Sequence, residues 1–331
     1  MLRLKTPRGL PVDVPETVGE DPSPKFDPAE LTAAKDYYLQ NGYAVIAGLV
    51  AQPDCDAARQ LWDREVKTST KYMYRQATAR AERNVLNANG WVMNPILNLQ
   101  SIDPRHFGRL RTFATERILA SPTLAKGFTA LLGEPPKIVQ SMYFEGNSAT
   151  WEHQDSYYLD SEKVGAMAAA WIALEDITAS AGRFFICPRS HKLHYEMHSL
   201  ANNIAENHET YIQSVVQKVR ELNLEIRAPL LRKGDVLFWN AWTIHGSLDS
   251  HDPQHSRSSI TCHAIPQSHR FLQLQSRVFD PHGDVINGVE VTRPKDLAAA
   301  KNRLVMSIEA NFPGLFYWAK KQAVKAVVRK R

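Results

Sequence analysis

His153 and Asp155 stand two residues apart in Trp151-Glu-His-Gln-Asp155. On an extended strand alternate side chains leave from one face, so an imidazole and a carboxylate at this spacing converge on one point. Such a pair supplies two ligands to a divalent metal and leaves most of its coordination sphere open. A third ligand is expected from a histidine well downstream, on a neighbouring strand. His245, in Trp239-Asn-Ala-Trp-Thr-Ile-His-Gly-Ser247, is the candidate. Two histidines and one carboxylate on one face of a metal are the set used by non-haem Fe(II) oxygenases.

A His-x-Asp triplet is common by chance, so the weight falls on its company. His245 ends a strand-like run and is followed by Gly246 and Ser247, and Arg257 opens the next run. Three protein ligands on one face leave room for a bidentate co-substrate and dioxygen. A 2-oxo acid chelates through its 2-oxo group and C1 carboxylate. Its far carboxylate needs a fixed cation, for which arginine offers a planar fork. Arg257 with the Ser247 hydroxyl fits that role. Taken singly they read as a surface salt-bridge partner and a turn hydroxyl; beside the three ligands the co-substrate reading prevails. Among the other histidines, read mostly as loop and surface residues, His263 stands out because it alternates inward from a strand.

The elements that must position these groups come next. The chain has 331 residues, 44% apolar and 23% charged, which is ordinary for a soluble globular protein with a sizeable core. Its formal charge of +5 is modest, and part of it lies in Lys320, Lys321, Lys325, Arg329, Lys330 and Arg331. Arginines and aromatics do not interleave along one stretch, so no nucleic-acid partner is expected. Cys55, Cys187 and Cys262 lack paired spacing, which speaks against a disulfide framework and for a reducing compartment. The N-terminus shows no secretory h-region, and no apolar run is long enough to span a bilayer. The expected setting is cytoplasmic, with attachment at a membrane surface as the alternative.

Five prolines among charges make residues 1–27 an extended leader. Asp27-Pro28 reads as a helix start, with Asp27 as cap and the helix running to about Gln40. A strand at 43–50, a helix from Asp54 to Lys67 and a helical stretch from Asp103 to Leu132 follow, the last stopped by Gly133. Residues 68–90, with Lys71, Arg75, Arg80 and Arg83, read either as a solvated helix and loop or as a basic lid that meets an anionic substrate. From Lys137 short strands dominate, interrupted by a helical insertion at about 194–227. Residues 28–268 form the expected domain, and 269–331 a C-terminal helical extension with a basic tail. Helices before and short strands after predict a mainly β fold with flanking helices.

At this point the chain resembles the phytanoyl-CoA dioxygenase-like Fe(II)/2-oxoglutarate oxygenases, over about residues 28 to 265. The resemblance is carried by the run from Asn41 to Val50, Leu132-Gly-Glu-Pro-Pro136, Trp171-Ile-Ala-Leu-Glu-Asp176, Gly182, Cys187-Pro-Arg-Ser-His191, Lys233-Gly-Asp-Val-Leu-Phe238, His245-Gly-Ser247 and Arg257. It implies a double-stranded β-helix, a jelly-roll, cupin-like barrel. It implies His153, Asp155 and His245 as iron ligands, Arg257 and Ser247 on the 2-oxoglutarate tail, and Gln140 and Trp171 lining the co-substrate pocket. Tyr157, Arg189 and Trp242 are the substrate-contact candidates. The implied reaction consumes 2-oxoglutarate and O2, releases succinate and CO2, and hydroxylates a small-molecule, lipid or lipid-linked substrate.

Halogenating relatives carry a small residue where Asp155 stands, which opens a site for chloride, so the carboxylate favours hydroxylation or a related oxidation. Arg189 departs from the family's usual glycine in Pro-Gly-Ser-His, and Arg183-Phe184-Phe185 is unusual too. The competing class is a cupin-like metal-dependent isomerase or metal-binding module, which would not need Arg257 and Ser247 together. A structural protein with a decayed iron site is the third, and the intact triad argues against it. The stretch 315–331 has two readings: a helix packed on the barrel with a solvated basic end, or an anchor to anionic lipid.

Overall fold

The computed structural model describes residues 1–146, 149–193, 204–275 and 277–328, with side chains described except at 204–206 and 323–328. The hairpin β1 (Leu2–Lys5) and β2 (Pro11–Val14) precedes β3 (Lys25–Phe26), α1 (Leu31–Asn41), β4 (Tyr43–Ile46) and α2 (Gln52–Trp62). Short strands β5 (Met73–Tyr74), β6 (Ala81–Glu82) and β7 (Ile96–Leu97) lead to α3 (Pro104–Phe113) and α4 (Pro122–Leu132). Then come β8 (Pro136–Phe144), β9 (Thr150–His153), β10 (Leu159–Ser161), β11 (Ala168–Ala173) and β12 (Phe184–Ile186). After α5 (Ile204–Glu221) the chain forms β13 (Val236–Asn240), β14 (His245–Ser247) and β15 (Ser259–Pro266). It ends in β16 (Phe271–Gln273), β17 (Arg277–Phe279), β18 (Gly283–Ile286), β19 (Val289–Thr292), α6 (Ala300–Asn311) and α7 (Pro313–Val328).

Among the described residues, nine strands make the large sheet, in the order β18-β19-β8-β15-β11-β13-β4-β3 with β7 also on β8. A three-stranded sheet, β12-β14-β9, faces it. The alternation of side chains explains how one sheet serves two layers. Ala168, Ala170 and Ile172 of β11, Val236 and Phe238 of β13 and Ile260, Cys262 and Ala264 of β15 point outward and pack with α1 to α4. Phe128 of α4 meets Phe238 edge-on at 5.1 Å. The intervening residues Ala169, Trp171, Ala173, Leu237 and Trp239 point inward and join Phe184 and Ile186 of the small sheet. On β15 the inward positions are Ser259, Thr261 and His263, so that strand is apolar on one face and polar on the other. Burying a Leu, Ile or Phe side chain is worth about 1.5–3 kcal/mol. Both layers therefore contribute to stability, and the polar inner face of β15 is the part left for other work. The two sheets form an open jelly-roll, not a closed barrel.

Several boundaries differ from the sequence reading. Helix α1 starts at Leu31, because Asp27 caps a turn instead: its carboxylate accepts from Ala29 N and its carbonyl from Glu30 N. The long helical stretch breaks at Ser121-Pro122, where Ser121 caps α4. Residues 1–27 are extended but tightly held: Val12 and Val14 are buried with Phe185 and Leu248, and the Thr6 hydroxyl donates to Glu152 of β9. Residues 68–90 carry the β5–β6 pair and no helix. There Arg75 is buried and donates to the carbonyls of Glu82 and Asn94 and to Asn84 Oδ1, so it is a brace and not part of a rim. Residues 269–331 are not wholly helical: β16 to β19 precede the helices, and β19 runs parallel to β8 as a further strand of the large sheet. These strands are three or four residues long, too short to show a period.

Candidate metal centre

β9 and β14 are antiparallel neighbours with His153 directly opposite His245, which brings two imidazoles from distant sequence to one place. Gly246 makes this approach possible, since a Cβ there would lie 2.5 Å from the Thr150 carbonyl oxygen. The peptide after His153 turns into a short 3-10 helix that begins at Asp155. The Nε2 atoms of His153 and His245 lie 3.7 and 3.5 Å from Asp155 Oδ1. Each Nδ1 is tied to a carbonyl, of Trp151 at 2.8 Å and Thr243 at 2.9 Å. As a carbonyl only accepts, each Nδ1 donates its proton there, and each Nε2 is the ring atom that faces Asp155. The three ligand atoms lie within 4.8 Å of one another, a set that fits a divalent ion on one face.

The other carboxylate oxygen is held from the large sheet. Trp239 Nε1–H donates to Asp155 Oδ2 at 2.8 Å, and His263 Nε2 lies 3.3 Å from the same atom. Burial alone would raise the Asp155 pKa, but the nearby His245 and His263 imidazoles outweigh it and hold the carboxyl well below its ordinary range. Oδ1 is thereby left to the metal side as a fixed, ionised ligand. Sequence reading singled out His263 but missed Trp239, whose inward place on β13, opposite Ala169, shows only once the strands are paired. Supporting residues of this kind typically change metal affinity 10–100-fold. Trp239→Phe is accordingly expected to weaken Fe(II) binding by about tenfold or more, read by titration calorimetry. Unchanged affinity would mean that the indole does not position Asp155.

A second polar feature runs along β15. Arg257 is buried, donates one bond to the Gly182 carbonyl, and lies with its guanidinium carbon 5.4 Å from the Phe144 ring and 5.9 Å from the Trp171 ring. No carboxylate pairs with it among the described residues, and burial pushes its pKa down to about 9. Its Nε, Ser259 Oγ, Thr261 Oγ1 and His263 Nδ1 are all buried without hydrogen-bond partners. These four residues alternate along one strand face, from an unpaired cation to the group that touches Asp155. Native interiors rarely leave polar atoms unpaired, so a row of them beside a lone guanidinium is a bed for an elongated anion.

The remaining candidates divide. Trp171 stands under Arg257, and Gln140 of β8 is opposite His263, half-buried in the wall of a cavity of about 470 Å³. Ser247 lies two residues beyond His245 on the same strand face, and its Oγ accepts from Thr150 N. Tyr157 is buried against the insertion, stacked on Tyr211 of α5 with ring centroids 3.7 Å apart. Trp242 packs over Gly165, and its carbonyl accepts from Gln154. Arg189 is exposed, at φ +68°, the left-handed conformation a glycine would take without strain. Arg183 is committed to the carbonyls of Ile177 and Pro15. Sequence reading overlooked Tyr158 and His208, which are hydrogen-bonded at 2.8 Å, with the Tyr158 ring 5.8 Å from His153. The insertion also supports the motif itself, as Gln154 N donates to the Tyr211 hydroxyl at 2.9 Å. Residues 194–203 of that insertion lie outside the described residues.

Comparison with known proteins adds to this geometry. The sequence profile described as phytanoyl-CoA dioxygenase (PhyH) matches residues 38–259. The peroxisomal phytanoyl-CoA dioxygenase of Bos taurus is 22% identical over 245 residues, covering 72% of this chain and 69% of that protein. The Rattus norvegicus enzyme is 24% identical over 251 residues, with the same coverage of each chain, 72% and 69%. Among solved structures, the non-heme alpha ketoglutarate dependent carbocyclase SnoK from nogalamycin biosynthesis is similar at a TM-score of 0.54 and 16% identity, covering 74% of this chain and 87% of that one. EctD from S. alaskensis, solved with 2-oxoglutarate and 5-hydroxyectoine, is similar at a TM-score of 0.52 and 16% identity, covering 85% and 94%.

Proposed function

The chain belongs to the phytanoyl-CoA dioxygenase family, and from that premise we propose that it hydroxylates an unactivated C–H bond of a small-molecule, lipid or lipid-linked substrate. It is an Fe(II)/2-oxoglutarate-dependent oxygenase of the jelly-roll fold. Iron and 2-oxoglutarate together supply the oxidising chemistry: one atom of O2 goes into the substrate and the other into succinate, as CO2 leaves. The roles of the chain's own residues follow from their positions. His153, Asp155 and His245 hold the iron, and Trp239 with His263 fixes the carboxylate. Arg257, held over the Trp171 and Phe144 rings, would pair with the far carboxylate of 2-oxoglutarate, with Ser247 as a further contact. Ser259, Thr261 and Gln140 line the bed.

The observation that carries this reading is the unpaired buried Arg257 at the end of a row of unpartnered polar groups that leads to the triad. A metal-dependent isomerase or binding module would have the triad and no use for that cation. Asp155 is a carboxylate where a chloride would otherwise enter, which supports hydroxylation over halogenation. Under anaerobic conditions Fe(II) plus 2-oxoglutarate should give the weak visible charge-transfer band of a chelated 2-oxo acid. Admission of air with a panel of lipids, acyl thioesters and small metabolites should then give succinate in step with an oxidised product. Absence of the band with iron bound would remove 2-oxoglutarate from the site and leave the isomerase reading.

A further inference from the structure

The helix pair at the C-terminal end is fastened to the molecule by one face only. Met306 and Ala310 of α6 pack with Tyr74, Ala81 and Leu297. Glu309, buried, accepts from the hydroxyls of Tyr74 at 3.4 Å and Tyr317 at 2.6 Å. Arg80 lies over the Tyr317 ring at 4.7 Å. Tyr317 of α7 thus reaches back to Glu309 of α6 and ties the two helices together beside Tyr74.

The pair also exposes apolar side chains. Leu304, Ile308, Phe312, Leu315 and Trp318 are 63, 40, 62, 63 and 61% exposed. Leu304 and Ile308 are four apart on α6, Leu315 and Trp318 are three apart on α7, and Phe312 stands at the joint, so each helix carries an exposed apolar edge at helical spacing. Scattered exposed apolar residues need no explanation, but exposed apolar edges on adjoining helices mark an interaction surface. Charge says with what. Glu309 is the last acidic residue of the sequence, and Lys320, Lys321, Lys325, Arg329, Lys330 and Arg331 follow it. Lys320 and Lys321 are exposed on α7, and Arg80 and Arg83 are exposed on the segment under it. Apolar side chains with a tryptophan, followed on α7 by lysines and no acid, are the make-up of a helix that lies in the interface of an anionic bilayer.

We propose that the α6–α7 pair docks the protein on anionic membrane surfaces, with the apolar edges from Leu304 to Trp318 in the headgroup region and the lysines of α7 on lipid phosphates and carboxylates. Tyr74, which bonds Glu309 at the floor of the helix pair, also lines a cavity of about 470 Å³. The docking surface does not depend on the reaction assigned to the metal centre, and it is tested without turnover.

The test is co-sedimentation of the full chain with vesicles of phosphatidylcholine alone and of phosphatidylcholine with a third phosphatidylserine. Binding is expected to the anionic vesicles only and to fall with added salt. Lys320→Glu with Lys321→Glu should weaken it about 30-fold, and Leu315→Glu with Trp318→Glu should abolish it. All four sites are exposed, so both variants should keep the wild-type melting temperature and Fe(II) affinity. No wild-type binding to anionic vesicles, or binding unaltered in the Leu315→Glu, Trp318→Glu variant, overturns the proposal. A concentration-dependent dimer that this variant dissolves, without vesicle binding, assigns the apolar edges to a second copy of the chain and overturns it too.

Discussion

Asp155→Ala is expected to eliminate succinate formation coupled to substrate oxidation, a loss well beyond the roughly 100-fold that supporting residues cause. The carboxylate is the single anionic member of the His153, Asp155, His245 set. Two neutral imidazoles hold a divalent ion much less tightly than two imidazoles and a charge. The substitution also strands the groups that face Oδ2, since Trp239 Nε1 and His263 Nε2 lose their common acceptor. Leaving a buried donor unsatisfied costs about 1–3 kcal/mol, so the variant should melt lower as well as bind less iron. Asp155→Asn separates the two effects: its amide keeps the size and one acceptor but not the charge, so stability should recover more than iron affinity. If Asp155→Ala retained coupled turnover at the wild-type rate, the ligand set would have to be redrawn as His153, His245 and His263.

Much of this centre was legible because its parts obey short rules. The His153–Asp155 spacing, the His245-Gly246-Ser247 sequence and the inward alternation of His263 are all local patterns, and the structure brings those residues together. What escaped was set by contacts across the fold. Trp239 looked like any core tryptophan until β13 was registered beside β11. Tyr158 and His208 meet only because α5 lies against β9. The strands β16 to β19 are too short to carry a period, and their pairing comes from β8 and β10, far back in the chain. Arg189 stands at φ +68° on an exposed turn, where its backbone conformation, not its side-chain chemistry, explains the glycine usual at that place. Arg75, in a run of basic residues, was assigned to a charged surface, yet it is fully buried on backbone carbonyls.

Arg257→Ala is expected to raise the apparent KM for 2-oxoglutarate far more than it lowers kcat. The tail carboxylate is gripped before any oxygen chemistry, so losing the grip removes ground-state binding. Truncating one partner of a buried charge pair costs about 2–5 kcal/mol, which is a rise of some 30-fold to several thousand-fold. The two arginines on neighbouring segments are placed otherwise: Arg183 is spent on Ile177 and Pro15, and Arg189 is exposed. The same buried cation has a cost in the ligand-free protein, where it donates to the Gly182 carbonyl and meets no carboxylate among the described residues. Arg257→Met, which fills the space without the charge, should therefore melt no lower than wild type in the absence of 2-oxoglutarate, because an unpaired buried charge is destabilising. Added 2-oxoglutarate should raise the melting temperature of the iron-loaded wild type, as a ligand that binds only the folded state must, and leave Arg257→Met where it was. A wild-type KM in Arg257→Ala, or a full 2-oxoglutarate shift in Arg257→Met, would place the co-substrate elsewhere.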